Sequence, residues 1–338
     1  MRPPTRRGVL GRGTLAAAAL AAGPARAESA TLRVSHGYSV GYLPLMVMRD
    51  HALIEKHAAS LGLGKTAVEW QIQDGGNNIN DAVLAGVLDI AGIGLPGYLV
   101  LRDRTLGRRQ EMVGIGALSS GALWLNTIDP RIRSLEDYTS ADRIAVPGIK
   151  TSYAAVVLQM AAAKAFGPEN YARLDPLTVG LSHPDAYAAM MSGGSEIKSH
   201  LASAPFSYQE LENPKVHRVF TTVDVIGAMT ILVTMVQRAF AQANPGLVRA
   251  FLAAQEEANR RIAEDRDGAV GSYLRATGLR TPREQLLRIL ADPENVYGTA
   301  PNGGMVYAAF LARIGTLRNK PAAWTDLFVP ELHDRRGS

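Results

Sequence analysis

Short β-branched runs, glycine-bearing loops and apolar stripes at helical spacing follow one another in a regular order along this chain. Residues 31–36 (TLRVSH) alternate and predict a first strand, and the loop HGYSVGYLP at its end carries two glycines and two tyrosines, as a strand-to-helix turn at a ligand cleft would. A helix over 45–59 is then expected, ended near Gly62 and Gly64, with a strand over 67–72. The loop Asp74-Gly75-Gly76-Asn77-Asn78 can cap the next helix, and strand 88–93, helix 98–104 and strand 112–118 continue the alternation. Such β/α alternation predicts a mostly parallel sheet covered by helices.

The pattern breaks at Ser119-Ser120-Gly121, and residues 122–126 (ALWLN) predict a short strand leaving the first lobe. A second β/α series starts at 143–147 (RIAVP), passes Gly148-Ile149-Lys150-Thr151-Ser152 into a helix ending at Phe166, and continues through 177–181, a helix from Asp185, 196–203 and 216–221. The apolar run 225–236 (VIGAMTILVTMV) reads as the return crossing. Helices follow: Asn244-Pro245 caps one whose stripe is Leu247, Phe251, Ala254, Ala258 and Ile262, with Glu256, Glu257, Arg260 and Arg261 as a solvated charge run. Another helix is expected over 307–314, and the irregular apolar tail from Pro321 to Pro330 should pack on the body.

One unit is stated twice. Asp81, Asp89, Pro96 and Tyr98, spread over a helix, a glycine, the run LDIAGIG and LPGY, answer to Asp185, Glu196, Pro205 and Tyr208. A helix stopped by Gly, then a strand, then Pro opening the next helix is α/β punctuation, and two distant copies predict two similar lobes facing each other.

The first residues change the charge balance. Thr5-Arg6-Arg7-Gly8-Val9-Leu10, the Ala-rich run 14–22 and Ala25-Arg26-Ala27 form a twin-arginine export signal with a small-x-small cleavage site near Ala27. The chain holds 36 Lys+Arg and 31 Asp+Glu, and the five arginines of residues 1–27 leave with the signal, so the mature chain is neutral. The basic character therefore carries no argument for nucleic acid or acidic membrane. No later stretch is apolar enough to span a bilayer. With no cysteine, disulfides, thiolate metal sites, a Cys nucleophile and a lipid anchor at the mature start are excluded. About 310 mature residues suggest two domains.

Candidate chemistry is that of binding. Gly92-Ile93-Gly94-Leu95-Pro96-Gly97 matches G-x-G-x-x-G, but Pro96 lies in the turn and no acid stands about twenty positions on, so the dinucleotide reading fails. Its glycine-rich strand end still lets a ligand approach helix-start amides, where the dipole favours negative charge. Gly148–Ser152 offers the same geometry: Thr151 and Ser152 either grip a polar or anionic group or cap their own helix. The seven histidines form no metal-ligand spacing, Asp265-Arg266-Asp267-Gly268 is a helix end too short for a calcium loop, and no G-x-S-x-G elbow exists. No cofactor and no enzymatic nucleophile are expected.

The segment EIKSHLASAPFSYQELENPKVHRVFTTVDVIG (196–227), with LAGVLDIAGIGLPGYL and GTLRNKPAAWTDLF, resembles the periplasmic solute-binding proteins of nitrate/sulfonate/taurine ABC importers. The resemblance implies the two-lobed periplasmic-binding-protein fold (type II), α/β, with residues 28–121 and 225–338 in one lobe and 122–224 in the other. It implies a small anionic or polar solute between the lobes, handed to permease transmembrane subunits with an ATPase, by a periplasmic monomer that is not an enzyme. The ligand site would draw Tyr38, Tyr42, Gly76, Asn77, Gly94, Leu95, Pro96 and Gly97 from the first lobe. Lys150, Thr151, Ser152, His183, Pro205 and Phe206 would come from the second, with Phe206 either shielding the solute or only packing its lobe. No arginine lies in these loops, so helix N-termini, Lys150 and His183 would neutralise an anion; a neutral ring-bearing solute is the alternative ligand. Two other roles share the scaffold: an exported enzyme using Lys150 or His183 as acid or base, and a receptor presenting its closed form to a membrane sensor.

Overall fold

The computed structural model describes residues 28–73 and 76–338, with Gly76 and Asn77 described by their backbone alone; the export signal expected over 1–27 lies outside the described residues. The first series comprises β1 (Thr31–His36), α1 (Leu43–Asp50), α2 (Leu53–Ser60), β2 (Ala67–Ile72), α3 (Gly76–Leu84), β3 (Ile90–Gly94), α4 (Leu95–Thr105) and β4 (Met112–Ser120). The second comprises β5 (Trp124–Thr127), β6 (Arg143–Val146), α5 (Tyr153–Phe166), β7 (Thr178–Gly180), α6 (His183–Met191), β8 (Ile197–Ala202), α7 (Phe206–Leu211), β9 (His217–Thr221) and α8 (Thr222–Ile226). The chain then runs through β10 (Thr230–Gln237), α9 (Arg238–Ala243), α10 (Pro245–Glu264), α11 (Arg266–Thr277), α12 (Arg283–Ala291), β11 (Val296–Tyr297) and α13 (Gly304–Arg313).

Two sheets result, in the orders β11-β4-β10-β3-β1-β2 and β7-β6-β8-β5-β9. β1 pairs in parallel with β2 and β3, and β10 lies antiparallel between β3 and β4. In the second sheet β6 is parallel to β7 and β8, and β5 lies antiparallel between β8 and β9. The orders β2-β1-β3-β10-β4 and β7-β6-β8-β5-β9 therefore correspond strand for strand. The repeated sequence unit is α3-β3-α4 in one sheet and α6-β8-α7 in the other, so it marks equivalent positions of two like lobes.

The two predicted crossings need correction. Residues 124–127 are not a strand between lobes but the reversed strand of the second sheet, and 230–237 is a reversed strand inside the first, between β3 and β4. The apolar run 225–236 hides a turn: α8 stops at Gly227, whose φ of 77° suits glycine, before β10 begins. The predicted 45–59 helix is also two helices, α1 and α2, parted at Ala52, which adopts a left-handed φ of 47°.

The α10 stripe is buried as expected, from Leu247 at 1% exposure to Phe251 at 0%. Burying a ring of that size stabilises by roughly 1.5–3 kcal/mol. Glu257 differs from its expected solvated role. It accepts from Lys56 Nζ at 2.8 Å, His57 Nε2 at 2.8 Å and Arg261 Nε at 3.0 Å, tying α2 to α10. Asp265 ends α10 and also caps α11, accepting from the Gly268 amide at 2.8 Å. At the other end of α10, the Glu28 carboxylate accepts from the amides of Gly246 and Leu247 at 2.8 and 2.7 Å, tying the segment before β1 to that helix N-terminus. The apolar tail docks as predicted: Leu327, Phe328, Val329 and Leu332 are buried, and the Val329 amide donates to the Gly114 carbonyl at 2.8 Å.

Candidate functional site

Strand ends of both sheets meet where glycine lets the backbones close up. A Cβ on Gly94 would lie 3.1 Å from the backbone nitrogen of Tyr153, and one on Gly97 would lie 2.9 Å from the Thr151 carbonyl oxygen. Gly92 lies against the Tyr42 ring, 2.8 Å from a built Cβ. The three glycines of the G-x-G-x-x-G match thus accommodate a tyrosine and the opposite lobe. Further links join the halves: the Val40 amide donates to the Ala204 carbonyl at 3.0 Å, Tyr208 Oη to Asp292 at 2.6 Å, and Gln209 Nε2 to Thr281 Oγ1 at 3.0 Å.

Between these contacts lies a cavity of about 70 Å³. Its polar walls are Ser39, Tyr42, Thr151, Ser152, Ser203 and His183, and its apolar walls include Ile79, Ile93, Leu123, Ile231 and Leu232. No Arg, Lys, Asp or Glu lines it among the described residues. Several helix starts converge here. Ser152 caps α5, its Oγ accepting from the Ala155 amide at 3.1 Å, and the first α5 residues, Tyr153 and Ala154, line the cavity. Ser39 Oγ accepts from the Gly41 amide at 3.1 Å ahead of α1, and Gly94 precedes α4. His183 is the first residue of α6, after its cap Ser182. Helix-start amides have no intrahelical acceptor, and the dipoles favour an anion there.

Ser203 lines the cavity, and its buried hydroxyl has no hydrogen-bond partner among the described residues. Behind the wall, His183 Nδ1 lies 2.9 Å from His200 Nε2, and His200 Nδ1 lies 2.6 Å from Glu210 Oε1. Asn126 Nδ2 donates to Glu210 Oε2 at 2.8 Å. Burial and the neighbouring His200 push the His183 pKa well below its ordinary 6.5.

Of the expected site residues, Tyr42, Gly94, Thr151, Ser152 and His183 line the cavity. Ser152 does cap α5, and both Thr151 and Ser152 line the cavity. Leu95, Pro96 and Gly97 are buried in the first turn of α4 and Pro205 at the start of α7, all outside the lining. Tyr38 is half-buried and offers its carbonyl to Tyr273 Oη at 2.8 Å. Lys150 is exposed, at a left-handed φ of 64°, and does not line the cavity. Phe206 is buried against His183, ring centroids 6.0 Å apart, and packs its own lobe. Gly76 and Asn77 open α3, and the Asn77 side chain lies outside the described residues. Sequence reasoning missed Ser39, Tyr153 and Ser203. Ser39 and Tyr153 adjoin residues already singled out, whereas Ser203 ends an apolar strand with no local signal.

A model of the NMT1-like family matches residues 25–270, well over half of the chain. The chain belongs to the NMT1-like family. No curated protein matches it. Among solved structures, this NMT1-like chain is similar to the alkanesulfonate-binding protein SsuA from Xanthomonas axonopodis pv. citri bound to MOPS, at 20% identity and a TM-score of 0.67, covering 87% of this chain and 96% of that one. It is also similar to the periplasmic aliphatic sulphonate binding protein SsuA from Escherichia coli, at 17% identity and a TM-score of 0.65, covering 91% and 100%. The periplasmic nitrate-binding protein NrtA from Synechocystis PCC 6803 shares 16% identity and a TM-score of 0.68 over 89% and 84%. At these identities the likeness establishes the fold of the NMT1-like chain: two α/β lobes of the periplasmic binding protein type.

Proposed function

We propose that this protein is the solute-binding component of an ABC importer, capturing a small oxyanion between its lobes and releasing it to a permease. The observation that carries this reading is the inter-lobe cavity, walled by hydroxyls and helix N-termini and free of charged side chains among the described residues. A carboxylate wall would repel an anion; aligned helix starts favour one. The size bounds the solute: about 70 Å³ is under half the roughly 150 Å³ of an engineered cavity that takes benzene. The isoleucines and leucines on the apolar side suit a short alkyl group, which favours a small alkanesulfonate over bare nitrate. The similarity to sulfonate- and nitrate-binding proteins supports the same class.

The cellular setting follows from the same reading. The twin-arginine pattern would direct the chain to the periplasm with cleavage near Ala27, where it would serve as a monomer for permease subunits driven by an ATPase. A hinge closure about the two passages between the lobes, near residues 121–123 and 227–229, belongs to this proposal. The test is a thermal-shift and calorimetric panel of methanesulfonate, ethanesulfonate, taurine, nitrate and bicarbonate on protein refolded free of co-purified solute. Saturable binding of a small oxyanion is expected. Binding by none of the panel, in folded protein, would refute the ligand class.

A further inference from the structure

Three hydrogen bonds tie α7 of the second lobe, with the residue after it, to α12 of the first lobe and its flanks. Tyr208 Oη donates to Asp292 Oδ2 at 2.6 Å, Gln209 Nε2 to Thr281 Oγ1 at 3.0 Å, and Gln285 Nε2 to Glu212 Oε1 at 2.7 Å. Thr281 precedes α12, Gln285 lies in its first turn and Asp292 follows its last residue, so the helix is held at both ends. The partners are firmly seated. Thr281 and Gln285 are buried, as are Leu286 and Ile289 on α12. Tyr208 is fixed from its own lobe, its ring centroid 4.2 Å from that of Trp124 at the head of β5.

The chain leading into α7 is also a wall of the cavity. Ser203 lines the cavity, and α7 begins three residues later at Phe206. Between them the Ala204 carbonyl accepts from the amide of Val40, the neighbour of Ser39, which lines the cavity from the first lobe. Drawing α7 away from α12 therefore draws two walls of the site apart. Two of the three bonds end on carboxylates, and such bonds are stronger than those between neutral groups. Contacts made only in the joined form raise its share before any solute arrives, and a solute that needs that form binds more tightly in proportion.

We propose that Tyr208, Gln209 and Glu212 are positioning residues outside the cavity, whose bonds to α12 and its flanks keep a closed form populated in the solute-free protein and so hold the Ser39 and Ser203 walls together in advance. The gain in affinity rests on the oxyanion reading above, whereas the closed population does not. The test is single-molecule energy transfer on the solute-free mature chain, which has no cysteine of its own, labelled at Val87→Cys and Glu196→Cys, one exposed position in each lobe. A population at the separation of this structure is expected beside a more open one. Tyr208→Phe keeps the ring on Trp124, and combined with Thr281→Val it should cut the closed-to-open ratio about tenfold or more. Tyr138→Phe removes a phenol bond to Ser199 inside the second lobe and should leave the ratio unchanged. No closed population in the parent, the same ratio in the double variant, or an equal fall in Tyr138→Phe overturns the proposal. In a second arm, calorimetry with methanesulfonate should show weaker binding by the double variant; parent-like affinity beside a depleted closed population would refute the link to binding. Should the parent bind no oxyanion, the ligand class fails, while the solute-free populations still uphold or overturn the closed form.

Discussion

Replacing Gly97 by alanine separates lobe closure from stability. Gly97 lies in the first turn of α4, outside the cavity lining, and a Cβ there would sit 2.9 Å from the Thr151 carbonyl oxygen across the cleft. That neighbour is backbone, so relief requires moving one lobe against the other. Within its own lobe the methyl meets Ile93 at an ordinary 3.6 Å, and alanine is the better helix former by no more than about 1 kcal/mol. The open form should therefore be unharmed or slightly stabilised. The closed form should carry an overpacking cost of about 1–3 kcal/mol, equivalent to roughly 5- to 150-fold in dissociation constant. Calorimetry with the panel oxyanion that binds the parent gives the affinity, and small-angle scattering with and without it gives the compaction. Parent-like affinity and compaction in Gly97→Ala would show that these lobes do not grip the solute by approaching as closely as this.

Three further outcomes are expected. Ser203→Ala should weaken binding about tenfold while leaving the ligand-free melting temperature unchanged or raised, because its buried hydroxyl has no partner until a solute arrives; calorimetry and thermal melting together check this. Glu28→Ala should cost about 1–2 kcal/mol, since it strips the carboxylate from two amides at the start of α10, and denaturant titration of the mature chain should show it. Hydrogen bonds from Lys56, Arg261 and His57 hold the Glu257 pKa at about 2, below its ordinary 4.5. Its contribution to stability is therefore complete above about pH 4.5 and lost as pH falls toward 2, so Glu257→Gln should flatten that part of a pH–stability profile.

The elements legible in the sequence are those whose signals are local. β1 forms where TLRVSH alternates, α5 begins at a serine that does cap it, and the duplicated helix–strand–helix unit maps onto matching places in the two sheets. The 45–59 helix was misread because its break falls at Ala52, a residue whose type gives no warning of a left-handed turn. The 225–236 run was misread because apolar content is alike in a helix end and a buried strand, and only Gly227 marks the change. At the site, turn chemistry pointed to Thr151 and Ser152, and the family resemblance pointed to His183. The inward burial of Phe206, the outward position of Lys150 and the part of Ser203 depend on how two distant strands approach, which no local pattern encodes.

β4 and β5 lie in different sheets, as do β9 and β10, so the described polypeptide passes between the lobes near residues 121–123 and 227–229. A gate hung on two pins swings about the line through them and cannot wobble freely, as one hung on a single cord would. Capture by such a gate would leave little slack to be frozen out, and an early embrace of the wrong shape would reopen along the same arc.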